Sequence, residues 1–180
     1  MDTIEVSSPG LRYKEGPLLA RNTGHGFVDV SSSSGSVFEQ RWAARGLAAG
    51  DIDNDGRVDV VVTTTNGPAY VLRNETETAN HWLLLKLVGR KSNRDGLGAV
   101  IKVTTAQGDQ YQTVTTAGSY CSASDRRAHF GLGQAAAARA VEIRWPSGIV
   151  QELADVPADR ILTIVEPDSP PASAKLEHAR

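Results

Sequence analysis

The sequence predicts an all-β protein, and three observations carry that reading. Twelve short apolar segments are broken by Gly, Asn or Asp, with turn residues recurring about every 8–12 positions. Within several segments apolar and polar residues alternate, which is the period of a half-buried strand. Only "GQAAAARA" (133–140) has helix-forming composition, and it reads as at most two helical turns or as a loop.

Residues 1–16 mix Ser, Pro and Gly without periodicity and read as an irregular arm. Then come "PLLARN", "GFVDVS", "RGLAAGD", "VDVVVTT" and "PAYVLRN", which supply the strands of a first unit over 17–78. The polar, acidic stretch "NETETAN" (74–80) marks the boundary. "HWLLLKLVG", "LGAVIKVTTA", "DQYQTVTTAG", "RRAHFGLG", "AVEIRWP", "GIVQELAD" and "ILTIVEP" supply a second unit over 79–166. The tail 167–180 is rich in Pro, Ser and Ala and reads as disordered. "RDGLG" and "AQGDQ" carry the Asp-Gly or Gly-Asp chemistry of tight hairpins, and "WPSGIV" is a Pro-x-Gly turn.

Alternation assigns faces. In "VEIRW", Val141, Ile143 and Trp145 share one side while Glu142 and Arg144 share the other. The expected inward set of a β-sandwich in the second unit is Trp82, Leu84, Val100, Ile101, Val103, Phe130, Leu132, Val141, Ile143, Trp145, Ile161 and Ile164. Val100 and Ile101 are adjacent, so both can face one core only across a bulge.

Bulk properties exclude several classes. The chain has 180 residues, 40% of them hydrophobic, and a formal charge of -2. That gives no basic footprint for nucleic acid, and no apolar run approaches the roughly 20 residues of a membrane span. The start, "MDTIEVSSPG", lacks the basic and apolar regions of a signal peptide, which leaves a cytoplasmic location open. Cys121 is the single cysteine, so no intrachain disulfide forms.

The densest chemistry lies in "DIDNDGRVD" (51–59), which holds four of the chain's twelve aspartates. Like charges so close repel unless something positive sits between them, and the plainer alternative is an Asx-rich turn that binds nothing. Asp51, Asp53, Asp55 and Asp59 occupy places one, three, five and nine of a calcium loop; the Arg57 carbonyl takes place seven, and Gly56 permits the sharp turn. Ca²⁺, a hard ion with six to eight oxygen ligands, suits this set. The loop is not an EF-hand: Val62 stands where the bidentate Glu belongs, and the flanks are strand-like rather than helical.

Other groups have plainer readings. His81, His129 and Cys121 read as structural residues rather than as a nucleophile and its base. "GLGAV" and "HFGLGQA" lack the spacing and the following helix of a phosphate loop. Arg94, Asp95, Asp125, Arg126 and Arg127 read as a solvated charge cluster, with a ligand or protein contact as the sharper alternative.

A nine-residue calcium loop within a β-hairpin resembles the FG-GAP or VCBS repeat of integrin-α-like propellers. "NHWLLLKLVGRKSNRDGLGAVIKV", "AGSYCSASDRRAHFGLG" and "VEIRWPSGIVQEL" are similar to the ASPIC/UnbV domain, which follows such propellers in cartilage acidic protein-like proteins and in proteins of enediyne gene clusters. The resemblance implies a propeller-blade-like calcium repeat followed by a sandwich or barrel-like domain. It implies a non-enzymatic, extracellular interaction or scaffold module that binds a protein or small-molecule ligand. The alternative it suggests is an accessory protein or enzyme of secondary metabolism. A whole propeller is usual in the family, whereas one calcium repeat stands here. A lone blade leaves strand edges that either pack on the second unit or pair with another chain, either a second copy or the rest of a larger propeller protein.

Overall fold

A computed structural model of the chain describes residues 7, 8, 10 and 12–169. Half of the arm expected over 1–16 and most of the tail expected over 167–180 therefore lie outside the described residues. Each of the twelve expected segments holds a strand, and the fold is all-β. Apart from Ser7, helical structure among the described residues is confined to two short 3-10 turns, Ser31–Ser33 and Ser36–Glu39.

β1 (Ala20–Asn22) and β2 (Phe27–Asp29) form an exposed hairpin. β3 (Ala44–Gly50), β4 (Asp59–Thr64) and β5 (Tyr70–Leu72) form a three-stranded antiparallel sheet in that order. One face of this sheet carries Val62 paired with Tyr70, and Tyr70 stacks on Trp42 with ring centroids 4.5 Å apart. Chain from the second unit covers the edge of β3. The Asp125 N–H donates to the Ala49 carbonyl at 2.9 Å, and the Ala49 N–H donates to Ser124 Oγ at 3.1 Å. The opposite edge strand, β5, keeps Val71 65% exposed.

The second unit is a sandwich. β11 (Val150–Pro157), β10 (Ala137–Arg144), β7 (Val100–Thr105) and β8 (Gly108–Thr113) form one antiparallel sheet in that order. β12 (Arg160–Val165), β6 (His81–Val88) and β9 (Ala128–Gly133) form the other, with β12 parallel to β6. Ile101, Val103, Val141 and Ile143 of the first sheet share one core with Leu83, Leu85, Leu87, Phe130, Leu132 and Ile164 of the second. Each such burial contributes about 1.5–3 kcal/mol, so this unit needs no staple.

Four of the expected inward residues point elsewhere. Val100 is 36% exposed and Ile161 39% exposed, because Ile101 and the pair Leu162 and Ile164 occupy the inward phase of their strands. On β6 the inward residues are Leu83, Leu85 and Leu87, not Trp82 and Leu84. β6 is apolar on both faces, so alternation could not select one. A register shift between His81 and Trp82 sets the phase, as a bulge re-aims the residue beside it.

Two local expectations also change. "GQAAAARA" does not form a helix: Ala137–Ala140 begin β10, where fully buried Ala138 pairs with Val156. Pairing on both sides of β10 overrides the weak preference of Ala for helix. "RDGLG" is not a hairpin turn, since β6 and β7 belong to different sheets and the segment crosses between them. "AQGDQ" and "WPSG" do close the β7–β8 and β10–β11 hairpins.

Glu166 locks the last strand in place. Its buried carboxylate accepts the N–H groups of Arg90, Lys91 and Ser92 at 2.7, 2.8 and 2.7 Å, and the hydroxyls of Ser92 and Ser147. Burial pushes the carboxyl up, but the Ser147 hydroxyl, the Ser92 and Arg90 amides and the Ser92 hydroxyl outweigh it and hold the pKa at about 2. The folded-state pKa lies below the unfolded one, so the stabilisation is complete above about pH 4.5 and is lost as pH falls toward 2. Glu166→Gln is expected to cost on the order of 3 kcal/mol at pH 7. Thermal melts of both proteins from pH 7 down should show the gap closing between pH 4.5 and pH 2; a gap independent of pH would refute this assignment.

Candidate metal centre

The loop between β3 and β4 is folded by its own carboxylates. Asp51 Oδ1 accepts the Asp55 N–H at 3.1 Å and Oδ2 accepts the Gly56 N–H at 2.9 Å. Asp59 Oδ2 accepts the Ile52 N–H at 3.0 Å, and Oδ1 accepts the Asn74 N–H at 2.8 Å. Asn54 and Gly56 take positive φ values of 62° and 88°, which turn the chain back on itself. Gly56 is also the only residue that fits, because a Cβ there would fall inside the Trp82 ring.

These bonds bring three of the four aspartates together. Oxygens of Asp51, Asp53 and Asp59 lie within 4.8 Å of one another. Asp51 and Asp59 are each only 2% exposed. At an effective dielectric near 20, two such charges repel by about 3 kcal/mol. Among the described residues neither Asp51 nor Asp59 forms an ion pair; their hydrogen-bond donors are neutral backbone amides. Two buried carboxylates beside a third, with no side-chain cation on either, fit a divalent cation. The donors are all hard oxygens, which suits Ca²⁺ and excludes the nitrogen and sulfur sets of zinc or copper sites.

Asp55 stands apart from this group. Its carboxylate pairs with the Arg57 guanidinium, and its Oδ1 also accepts the Arg57 N–H at 2.8 Å. The Arg57 side chain thus folds over the loop, where its Nε donates to the Asn74 carbonyl at 2.7 Å, instead of pointing away. Arg73, unremarked in the sequence, ion-pairs with Asp53 at 2.8 Å.

The remaining groups have structural partners. His81 Nδ1 meets Asp159 Oδ2 at 2.7 Å, which holds that carboxyl below its usual range. Among the described residues neither His81 nor His129 hydrogen-bonds a Ser, Thr or Cys side chain. Cys121 is exposed, at a positive φ of 48°. The Gly98 and Ala99 amides of "GLGAV" donate to Val114 and Gly96, so they are not free to cradle phosphate. Asp95 pairs with Arg126 at 2.5 Å and Asp125 with Arg127 at 2.6 Å.

Sequence reasoning missed the wall against which the loop rests. Trp82, Leu84 and His129 lie on the outer face of the β6–β9 pair, and His129 Nε2 donates to the Gly56 carbonyl at 2.7 Å. Only local spacing marks a loop; nothing in it announces partners outside it, His129 being 73 positions from Gly56.

Comparison with known families matches residues 43–76 to the FG-GAP repeat and residues 89–171 to the ASPIC and UnbV family. The first match spans the aspartate loop, and the second spans most of the sandwich. No curated protein matches the chain.

Gly56→Ala is expected to lower the melting temperature far more than Gly24→Ala. Both glycines hold positive φ, but Gly24 has open space around it and Gly56 has Trp82. Gly24→Ala should cost about 1 kcal/mol and Gly56→Ala at least twice that. Equal losses in differential scanning calorimetry would show that the Trp82 contact carries no weight.

Proposed function

Because the chain carries an FG-GAP repeat followed by an ASPIC and UnbV domain, we propose that it is a non-enzymatic, calcium-supported interaction module of the extracellular type. The observation that carries this is the convergence of Asp51, Asp53 and Asp59, two of them buried and without ion pairs, inside the FG-GAP match. Asp51, Asp53 and Asp59 would hold the ion. Spacing also assigns Asp55 and the Arg57 carbonyl, but the Asp55 carboxylate is turned to the Arg57 guanidinium and stands outside this group. The ion would neutralise the clustered carboxylates and stiffen the hairpin.

The chain's own residues prepare the loop for this. Backbone amides from 52, 55, 56 and 74 fix the Asp51 and Asp59 carboxylates. That preorganisation lowers the ordering cost of binding. A groove of about 310 Å³ runs beside the loop, and its lining includes Ala48, Val61, Asp125 and Arg127. A lining that mixes apolar and charged groups suits a protein segment or small ligand bearing both kinds.

Thermal melting in Ca²⁺ and in chelator tests the reading. Calcium at 100 times its dissociation constant adds about 2.7 kcal/mol, or about 5–10 °C for a chain of this size. Asp51→Asn and Asp59→Asn should each abolish the rise, and Mg²⁺ should substitute poorly because it demands a smaller octahedral cage. An identical melting temperature in millimolar Ca²⁺ and in chelator would overturn the proposal.

A further inference from the structure

From the contacts around the aspartate loop we infer that Arg127 and His129, in the ASPIC and UnbV domain, are positioning residues for the metal loop of the FG-GAP repeat. Calcium binding and the docking of the two units are then one coupled event. The inference rests on the calcium reading above and adds residues that the loop's own spacing does not contain.

Arg127 reaches the loop twice. Its Nη2 donates to the Asp51 carbonyl and its Nη1 to Asn54 Oδ1, both at 2.7 Å. Its Nε is held by Asp125 Oδ2 at 2.6 Å, and Asp125 is itself tied to β3 through the Ala49 carbonyl at 2.9 Å. The guanidinium therefore has a fixed aim. His129 makes the third contact, from its Nε2–H to the Gly56 carbonyl at 2.7 Å. The Trp82 ring closes over Gly56 and lies within 6° of parallel to the His129 ring.

The pattern of these contacts matters more than their number. Residues 51, 54 and 56 are gripped through backbone carbonyls and one amide, while the carboxylates of Asp51, Asp53 and Asp59 stay clear of Arg127. The second domain thus holds the loop from behind and leaves its acidic side to the ion. Arg127 also brings a positive charge to the Asp51 backbone, which eases repulsion among the carboxylates without competing for their oxygens. Arg73 does the opposite, since it occupies Asp53 Oδ2 at 2.8 Å. On this inference the grip favours the ion-binding shape of the loop, and by linkage the ion strengthens the grip by the same factor.

Isothermal calorimetry of Ca²⁺ into the full chain provides the test, with wild type, R127A, R127K and R126A compared at a temperature where circular dichroism shows all four folded. R127A should bind Ca²⁺ about 5- to 150-fold more weakly. R127K, which keeps a charge and a donor, should fall between, and R126A, paired with Asp95, should match wild type. Hydrogen exchange supplies a second readout: Ca²⁺ should slow exchange across residues 125–129 in wild type and not in R127A. If R127A does not fold, H129A and H129Q replace it, with weakened binding in H129A and recovery in H129Q, whose amide restores the donor. Wild-type affinity in R127A, or in H129A where that pair is used, overturns the coupling and leaves the calcium reading standing. Absence of binding in wild type itself removes the calcium reading and the coupling with it.

Discussion

A sheet of three strands has two faces and two edges, and too little chain of its own to cover them. That constraint governs how the first half of this protein sits. β3 hides its edge under residues 122–125, and the hairpin tip rests on Trp82 and His129. One edge of the sheet is thus covered from the second unit, while β5 at the other edge keeps Val71 exposed. Each contact is small: a hydrogen bond contributes about 1 kcal/mol net, and less where water competes. Together they place an acidic hairpin, which would otherwise flex, against a rigid sheet.

The rigid sheet has a reason to be there. β6 is apolar on both sides because it has two jobs. Leu83, Leu85 and Leu87 fill the sandwich, while Trp82 and Leu84 form the floor under the blade. A strand buried on both faces reads as a continuous apolar run, as "WLLLKL" does, and its phase cannot be taken from alternation. β10, with one wet face, was legible to the residue. In β10, Val141 and Ile143 are buried while Glu142 and Arg144 pair outside at 2.7 Å.

The same physics separates what was legible at the site from what was not. The aspartates, the glycine and their order are local, and a loop that folds on its own backbone amides leaves its signature in nine consecutive residues. The exclusion of Asp55 from the cluster depended on Arg57, two residues away, choosing to fold back, which spacing leaves open. Arg127 and His129 lie in a stretch that reads as an ordinary charged turn and strand. Their role depends on a docking that brings together residues more than 70 positions apart, and a single sequence holds no record of that proximity. The alanine run of β10 failed for a related reason, since tertiary pairing on both sides outweighs a propensity of a few tenths of a kcal/mol.

The parallel pair of β12 and β6 has a consequence for how this chain comes into being. Every other ladder in the sandwich is antiparallel, and all four join strands less than 60 positions apart. β12 instead lies alongside a strand nearly 80 residues earlier, with Arg160 opposite Leu83 and Val165 opposite Val88. Closing so long a loop costs entropy before any contact rewards it, so this strand joins late. Until it does, one edge of β6 stands open in a partly assembled sandwich, and that edge is the surface on which nascent or heat-perturbed copies of this chain would meet.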